Sequence, residues 1–248
     1  MKITVITATY NSAATIRDTL ACIASQTHRD VEHIIVDAVS TDNTLEIVKE
    51  FPHVAKTICE KDNGLYDAMN KGVKAATGEV IGILNSDDFY TSNSVLEKVA
   101  AAFEDPNVDA VYGDLQYVKH DDVTRVIRTW RAGKYKKKYF HYGWMPPHPT
   151  FFVRSNLYRK AGLFNTSLRS AADYELMLRM LVKYDARAHY IPEVLVKMRV
   201  GGVSNASLKN RLRANREDRE AWRLNGLKPY FFTRWLKPLR KVFQFINR

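Results

Sequence analysis

The sequence contains few cysteines and no long apolar run, and both shortages narrow the class of protein. Two cysteines, Cys22 and Cys59, occur among 248 residues, and their spacing matches no metal-binding cysteine motif. Free thiols suit a reducing compartment such as the cytoplasm. No stretch approaches the roughly 18 consecutive apolar residues of a membrane-spanning helix, and the first residues, MKITVITATY, have the pattern of a strand and not of a signal peptide. We therefore expect a cytoplasmic protein without membrane spans.

Two common nucleotide-binding motifs are missing as well. No GxGxxG follows the first predicted strand, and no GxxxxGK[ST] occurs anywhere in the chain. Their absence argues against a dinucleotide-binding domain and against a P-loop enzyme.

Acidic residues are scarce near the end of the chain. The formal net charge is +11, and residues 205–248 hold 12 Lys and Arg against 3 Asp and Glu, whereas the other residues hold 26 against 24. A basic segment on a nearly neutral body indicates an anionic partner: a membrane surface, a nucleic acid or a phosphorylated substrate. A nucleic-acid-binding module predicts a basic body as well, so we expect no nucleic acid partner.

Strand-like and helix-like segments alternate through about residue 118. The apolar, β-branched segments predict strands over 2–9, 31–37, 55–62, 79–86 and 109–118. The segments between them predict helices from Ser12 to about Ser25 and over 40–51, 64–77 and 92–105. This order predicts an α/β fold with a mostly parallel sheet that has helices on both faces.

The second half has a different pattern. Residues 119–149 are polar, basic and proline-containing, which predicts a meander or mobile loop that serves as a lid or acceptor wall. A strand with a short helix over 150–162, a helix over 170–184 and a strand over 186–200 follow. The remaining residues, from Ser204, predict two basic helical pieces that break near Gly226 and Pro229.

Polar residues follow each of the first four predicted strands. Because ligands of open α/β sheets bind at the carboxyl ends of the strands, these residues predict a polar crevice at one rim of the sheet. The four polar segments are Thr7–Asn11, Asp37–Asp42, Asp62–Gly64 and Asn85–Asp88.

Two adjacent carboxylates, Asp87 and Asp88, end the apolar strand of the segment GILNSDDFY. One interpretation is a solvated turn that caps the next helix. The other is a site for a hard divalent cation, because Mg²⁺ and Mn²⁺ prefer carboxylate oxygens together with phosphate oxygens. Such a cation would relieve the repulsion between the carboxylates and would neutralise a diphosphate leaving group.

The motifs VITATYN, IIVDAVSTDNT, DNGLYDAMNKGVKAATGEVIGILNSDD and AADYELMLR resemble those of family 2 glycosyltransferases, which have the GT-A fold. The resemblance covers about residues 1–200. MPPHPTFFVR further resembles a branch that builds bacterial capsule, exopolysaccharide or lipopolysaccharide chains. The QxxRW motif of processive synthases is missing, so a single-addition enzyme is expected.

This resemblance implies an inverting transfer of a sugar from a nucleoside diphosphate sugar, with UDP as the expected nucleotide, to a hydroxyl group. It implies that Thr7, Tyr10 and Asp37, with neighbouring Asn11, hold the base and ribose. It assigns Asp88 to a Mn²⁺ or Mg²⁺ ion and Asp87 to the same ion or the ribose. The sequence departs from the family pattern at Ala38 and Asn85, where aspartates are common.

Five further residues each have a functional and a structural interpretation. Asp173 is the catalytic base by resemblance, whereas the helix dipole alone would also favour an acid at a helix start. His148, between two prolines, holds the acceptor or has a structural role. The turn of Asp62 and Gly64 precedes a helix N-terminus and either contacts the donor or only caps the helix. Asn70 on that helix touches the donor or supports the loops.

We expect a glycosyltransferase domain over 1–204, with a nucleotide-sugar-binding part at 1–118 and an acceptor-binding part at 119–204, and a basic helical extension over 205–248. Residues 230–248 form an amphipathic pattern that fits the anionic inner face of a bacterial membrane. The alternative is a helix that docks on the domain or on a second subunit, as in a homodimer. The acceptor is expected to be a saccharide or a lipid-linked saccharide. A nucleotidyltransferase on the same platform is the alternative enzyme.

Overall fold

A computed structural model describes residues 1–201, 208–233 and 236. The strands are β1 Ile3–Thr9, β2 Val31–Asp37, β3 Val54–Cys59, β4 Val80–Ile83, β5 Phe89–Tyr90, β6 Ala110–Val118, β7 Val126–Trp130, β8 Phe152–Arg154 and β9 Ala188–Arg199. The helices are α1 Ile16–Ala24, α2 Thr44–Lys49, α3 Leu65–Ala75, α4 Val95–Ala102, α5 Ser155–Ala161, α6 Ala172–Leu178 and α7 Leu208–Leu224. A π-helical turn, Arg179–Lys183, continues α6.

The strands form one mixed sheet in the order β3-β2-β1-β4-β8-β6-β9-β5, and β7 pairs with β6. Strands β1 to β4, β6 and β9 run in one direction, whereas β5, β7 and β8 run in the other. In-register parallel pairing aligns Thr9 with Asp37, so the ends of β1 and β2 meet at one rim. This arrangement confirms the predicted α/β, mostly parallel fold.

Helices cover both faces of the sheet and explain why its central strands are uniformly apolar. All residues of β1 are buried, as expected for a strand that is covered on both sides. On one face, α3 and α6 pack through Met69, Val73 and Met177. On the other face, α4 packs through Leu96 and Val99.

The prediction of a loop over 119–149 is wrong in part. Val126–Trp130 forms strand β7, and 3₁₀ turns occur at Lys137–Tyr142 and His148–Thr150. Two aromatic side chains of this segment, Phe140 and Trp144, are buried in the core. The many lysines obscured these aromatic residues, whose burial gives the segment a fixed position.

The helix predicted from Ser12 begins later, at Ile16. The carbonyl of Ser12 accepts the N–H of Ile16 at 2.9 Å, but the Ser12 hydroxyl contacts Ser86 and does not cap the helix. Asp87 and Asp88 likewise precede the short strand β5 and do not cap α4, whose N-cap residue is Ser94.

The basic segment after residue 204 begins with a helix that packs on the rest of the protein. Helix α7 contacts α6, and Trp222, 2% exposed, belongs to the same core as α3 and α6. The helix ends before Gly226, which has a positive φ of 68°. The predicted apolar stripe of Trp235, Leu239, Val242, Phe243 and Ile246 lies outside the described residues. Within the described parts of the chain, no helix has the length and apolarity to cross a membrane.

The burial of Trp144 can be tested directly. Its indole N–H donates to the carbonyl of Ala132 at 2.7 Å, and its ring contacts Tyr112 and Phe140. Trp144→Ala should therefore lower the free energy of unfolding by about 3–5 kcal/mol, measured by urea denaturation. Lys138→Ala, an exposed control in the same segment, should change it by less than about 0.5 kcal/mol. Equal unfolding midpoints for both variants would mean that the segment is not part of the core.

Candidate active site

The ends of β1 and β2 form one hydrogen-bonded corner around Asp37. The Asp37 carboxylate is buried and accepts the hydroxyl of Thr9 at 2.8 Å, the hydroxyl of Ser40 at 2.6 Å and the N–H of Ser40 at 2.8 Å. Fixed donors hold this carboxylate in one orientation without a cation. Position 38 is an alanine, so Asp37 is the carboxylate that β2 offers at this corner.

Tyr10 and Asn11 lie above this corner in the loop after β1. The Tyr10 side chain is 63% exposed, and Asn11 has a positive φ of 49°. The side-chain oxygen of Asn11 accepts the backbone N–H of Thr41 at 2.9 Å. The backbone N–H of Asn11 donates to the Ser40 hydroxyl at 2.9 Å. Asn11 therefore fastens the two loops together, while the Tyr10 ring is available to a ligand.

The same loop is tied to the end of β4. The hydroxyls of Ser12 and Ser86 are 2.9 Å apart, and the Thr15 hydroxyl donates to the carbonyl of Ser86 at 2.9 Å. The Thr19 hydroxyl of α1 donates to the carbonyl of Asp88 at 2.7 Å. These contacts bring the loop of Asp87 and Asp88 to the rim that Asp37 occupies.

Asp88 is fully buried and incompletely paired. Its Oδ2 accepts the amide of Asn85 at 2.8 Å, whereas its Oδ1 has no hydrogen-bond partner among the described residues. Burial, and next the charge of Asp87, hold the pKa of Asp88 well above its usual range. Burial also raises the pKa of Asp87, which is partly exposed. A buried carboxylate oxygen without a donor is unfavourable unless a ligand completes it.

Arg199, at the end of β9, holds the backbone of this loop. Its guanidinium donates to the carbonyl of Asp87 at 2.7 Å, pairs with Asp18 of α1 and lies 5.1 Å from the ring centre of Phe89. Arg199 is 5% exposed, whereas its partner Asp18 is 58% exposed. This clamp binds the carbonyl of Asp87, and the charge of Arg199 also opposes the rise in the pKa of Asp87 and Asp88.

The donor set of this loop fits a hard divalent cation. Mg²⁺ binds through one or two carboxylates and completes its shell with substrate phosphates and water. Asp88 offers its Oδ1, which has no hydrogen-bond partner in the described structure. Asp87 offers a second carboxylate, and Asn85 offers the amide of its side chain. Across residues 1–201, 208–233 and 236, no three His, Cys, Asp or Glu side chains form a metal-binding group, so these residues would share such an ion with the substrate.

Asp173 lies at the start of α6 and is held by α3. The Tyr66 hydroxyl donates to Asp173 Oδ1 at 3.2 Å. Burial first, and then the charge of Asp173, hold the pKa of Tyr66 well above its usual range, so the phenol keeps its proton. The ring of Tyr66 stacks on Phe164 with centres 5.6 Å apart. Tyr66 thus gives Asp173 a fixed neutral hydrogen-bond donor.

His148 lies near Asp173. Burial lowers the pKa of His148, and the charge of Asp173 acts in the opposite direction. Its Nε2 is buried and has no hydrogen-bond partner in the described structure, and its ring meets Phe164 edge-on at 5.9 Å. The two flanking prolines belong to a 3₁₀ turn that fixes the backbone of His148. The imidazole is therefore positioned but lacks a partner for one nitrogen.

Tyr117 of β6 connects the two groups of carboxylates. Burial raises its pKa, and the charges of Asp88 and Asp173 raise it further, so both carboxylates act on one phenol. The guanidinium of Arg128, on β7, lies 3.8 Å from the centre of the Tyr117 ring and opposes this shift. The charges of one predicted metal ligand, Asp88, and of the predicted base, Asp173, therefore both act on Tyr117.

Other predicted residues are placed differently. Thr7 is fully buried two residues before the end of β1, and its Oγ1 lies 3.1 Å from His33 Nε2, so the structure does not bring it to the crevice. The Asn70 amide is engaged at both ends by the backbone of Phe164, at 2.9 Å each, which favours its supporting role.

Asp62 and Gly64 form the predicted turn before α3. Gly64 has a positive φ of 113° and donates its N–H to Asp62 Oδ1 at 2.8 Å. A non-glycine residue would be strained at this φ, so the glycine shapes the turn. These contacts are local, and the turn leaves the side of α3 that carries Tyr66 facing Asp173.

Sequence reasoning did not assign Thr9, Tyr66, Tyr117 or Arg128 to the site. Thr9 is next to the predicted residue Tyr10, and Tyr66 lies within the motif that begins DNGLYDAMNKG. For both residues, position along the chain could have indicated a place in the site. Tyr117 and Arg128 follow from the β6–β7 pairing, in which Tyr117 lies opposite Arg128. Because that pairing was expected to be a loop, no sequence signal placed these two residues near the carboxylates.

Comparison with known proteins agrees with this geometry. The sequence profile of glycosyl transferase family 2 matches residues 4–164. A PGL/p-HBAD biosynthesis glycosyltransferase of Mycobacterium tuberculosis is 31% identical over 207 residues, which cover 81% of this chain and 78% of the relative. An uncharacterised glycosyltransferase of Methanocaldococcus jannaschii is 27% identical over 213 residues, covering 82% of this chain and 72% of that protein.

Solved structures show the same fold. A fragment of S. aureus TarS in complex with UDP-GlcNAc has a TM-score of 0.72 and 23% identity, and the match covers 91% of this chain and 65% of the fragment. The mannosyltransferase PcManGT from Pyrobaculum calidifontis, in complex with GDP-Man and Mn²⁺, has a TM-score of 0.66 and 22% identity, covering 97% of this chain and 73% of that one. From its profile match, its relatives and its GT-A fold, this chain is a glycosyltransferase and belongs to glycosyl transferase family 2.

Proposed function

We propose that this glycosyltransferase transfers a sugar, with inversion, from a UDP-linked donor to a hydroxyl group of a saccharide or lipid-linked saccharide. The observation that carries the proposal is the buried Oδ1 of Asp88, which has no hydrogen-bond partner in the described structure, and Asp173, which the Tyr66 hydroxyl holds, supplies a second carboxylate. One carboxylate is suited to the diphosphate and the other to the acceptor. The UDP-GlcNAc complex of TarS supports the choice of nucleotide.

The nucleoside end of the donor would bind at the corner of β1 and β2. Asp37 has its carboxylate oriented by Thr9 and Ser40, and can accept hydrogen bonds from a base or ribose. The exposed ring of Tyr10 offers a stacking surface for the base. Asn11 holds the loop after β1 against the loop after β2. The turn of Asp62 and Gly64 is a further proposed contact to the donor.

Asp88 and Asp87 would hold a Mn²⁺ or Mg²⁺ ion. When bound, the ion would supply Lewis-acid stabilisation of the negative charge that develops on the leaving diphosphate. The solved structure of PcManGT is a complex with Mn²⁺ and the nucleotide sugar GDP-Man. In this chain, the unpartnered Oδ1 of Asp88 supports the same use of the site.

Asp173 would accept the proton of the acceptor hydroxyl as that oxygen attacks the anomeric carbon. An inverting displacement needs such a base on the side opposite the leaving group. Tyr66 orients one oxygen of Asp173, which leaves the other for the acceptor. His148, with its unpartnered Nε2, would hold the acceptor beside this base.

The enzyme would act at the inner face of a bacterial membrane in the synthesis of cell-surface polysaccharide. Tyr230 and Phe231 are 47% and 86% exposed. The Thr233 hydroxyl donates to the carbonyl of His141 at 2.6 Å, which places these aromatic residues beside the turn that carries exposed Lys136 and Lys138. Aromatic and basic side chains together favour an anionic interface. Docking on a second subunit remains the alternative for residues 230–248.

The role of Asp88 can be tested by Asp88→Asn. The change should lower Mn²⁺-dependent transfer by at least about 100-fold, because a neutral amide cannot replace an anionic ligand. It should also raise the thermal midpoint of the metal-free protein at neutral pH, because the raised pKa of buried Asp88 costs folding free energy that a non-ionisable amide does not. Transfer is measured with UDP-sugars and Mn²⁺, and unfolding by calorimetry in chelator.

Asp30→Asn provides the control, because Asp30 is an exposed carboxylate at the other end of β2. It should leave both turnover and the metal-free midpoint unchanged. Turnover of Asp88→Asn at the unmodified rate would refute the metal-binding role.

If Asp173 is the base, its substitution should lower turnover without changing the affinity for the donor nucleotide. Asp173→Asn should reduce kcat by about 10²–10⁴-fold, the usual contribution of a general base, and should leave the affinity for UDP unchanged. Calorimetric titration with UDP and Mn²⁺ gives the affinity. Asp185→Asn, an exposed acid after the same helical segment, serves as the control. A collapse of UDP binding in Asp173→Asn would show that Asp173 is not simply the base.

The membrane interaction depends on the charge of the last residues. Glutamine at four basic positions of the terminal segment should reduce sedimentation with anionic vesicles at low salt, because each cation near such a surface contributes about 1 kcal/mol. These positions are Lys237, Arg240, Lys241 and Arg248.

A matched variant removes the same charge elsewhere, at the exposed residues Lys49, Lys56, Lys74 and Arg159. This control should sediment like the unmodified protein. Equal sedimentation of both quadruple variants would contradict membrane binding through 230–248.

A further inference from the structure

The start of α6 is held by a carboxylate from another helix. Oε2 of Glu217, on α7, accepts the N–H of Ser170 at 2.7 Å and the N–H of Ala171 at 3.0 Å. The first N–H groups of a helix have no partner within the helix, and Ala171, at the N-cap position, supplies no side-chain acceptor. Glu217 therefore fixes the backbone of the two residues that lead into α6, from a position 46 residues beyond Ala171.

Asp173 follows this segment directly. Its position depends on the backbone of Ser170 and Ala171, because it lies in the first turn of α6. The negative charge of Glu217 also acts on the Tyr66 phenol, which donates to Asp173. Glu217, Tyr66 and the start of α6 thus form one local group around the base.

Helix α7 is held along α6 by further contacts. The Trp222 indole donates to the Tyr174 hydroxyl at 2.9 Å, and the Asn225 amide donates to Glu175 at 2.8 Å. Glu175 also pairs with Arg179 at 2.9 Å. Trp222, Asn225 and Glu175 are all buried. With α7 fixed at these points, Glu217 can hold the segment before Asp173 in one place.

We propose that Glu217 is a positioning residue for Asp173, so that the C-terminal helix is part of the catalytic machinery. The inference rests on the proposed function of Asp173 as the base. Both residues lie beyond the range 4–164 that the family profile matches. In this enzyme the basic segment therefore begins with a helix that supports catalysis, before any residue that could contact a membrane.

The test compares three substitutions at Glu217. Glu217→Ala removes the acceptor and should lower kcat by about 10- to 100-fold through displacement of the base, with the KM for the donor unchanged. Glu217→Gln keeps an oxygen that can accept both N–H groups and should restore most of kcat. Glu217→Asp keeps the charge but is shorter by one methylene, so its kcat should remain low. This order separates the hydrogen-bonding role from the charge.

Glu220→Ala is the matched control on the same helix. Glu220 pairs with the exposed Arg223 at the surface, 2.8 Å from its Nε, so its removal should not change kcat. Amide hydrogen exchange gives a second readout, because Ser170 and Ala171 should exchange faster in Glu217→Ala and at the unmodified rate in Glu220→Ala.

Three results would overturn the inference. They are unmodified kcat in Glu217→Ala, an equal loss in Glu217→Gln, and a parallel loss of donor affinity that indicates general loosening. Asp173→Asn, measured in parallel, separates this failure from failure of the base itself. If Asp173→Asn is inactive and Glu217→Ala is fully active, only the positioning role is wrong. If Asp173→Asn turns over normally, both the base and its positioning are wrong.

Discussion

The burial of the Asp88 carboxylate is the constraint around which the active site is organised. One of its oxygens has a single amide donor, and the other has no partner in the described structure. Water would solvate such a carboxylate far better than this position does, which is why burial raises the pKa of Asp88 well above its usual range. The hydrogen bonds from the Thr19 hydroxyl and the Arg199 guanidinium go to backbone carbonyls of the loop, and the charge of Arg199 opposes the rise in the pKa of both carboxylates. The loop is thus held by its backbone, an arrangement that suits the proposed binding of a cation and a diphosphate.

The two substrates would meet across the sheet, in contact with elements from distant parts of the chain. The proposed donor corner comes from β1 and β2, the acidic loop follows β4, and the proposed base lies on α6, which α3 and α7 support. The charges of Asp88, in the acidic loop, and of Asp173, on α6, both raise the pKa of Tyr117 on β6. Because the central strands are buried on both faces, the loops at their ends can differ in chemistry without disturbing the core.

The sequence was sufficient to predict those features that depend on local pattern. Alternation of strands and helices predicted the mostly parallel sheet, and the acidic loop after β4 was visible as two adjacent aspartates. Long-range contacts were not predictable in the same way. The residues around Thr7 in the sequence do not indicate that its hydroxyl is hydrogen-bonded to His33. They also do not indicate that Thr9, and not Thr7, contacts Asp37. The lysines of 134–138 concealed the buried Phe140 and Trp144, and the strand β7 was missed with them. Glu217 lies in a segment whose positive net charge indicated only an anionic partner. A net charge does not show which backbone N–H groups one carboxylate accepts.

The clamp from Arg199 has a consequence for the order in which the protein is made. Its partners, Asp18 and the carbonyl of Asp87, leave the ribosome long before it does. Strand β9 pairs in parallel with β6 and antiparallel with β5, so it joins β5 to the rest of the sheet. Contacts between residues so far apart in sequence form slowly, and domains fold as units during synthesis. A nascent chain that ends before β9 therefore carries an incomplete candidate site and leaves the edge of β6 exposed, and the candidate site is completed only once β9 has been synthesised.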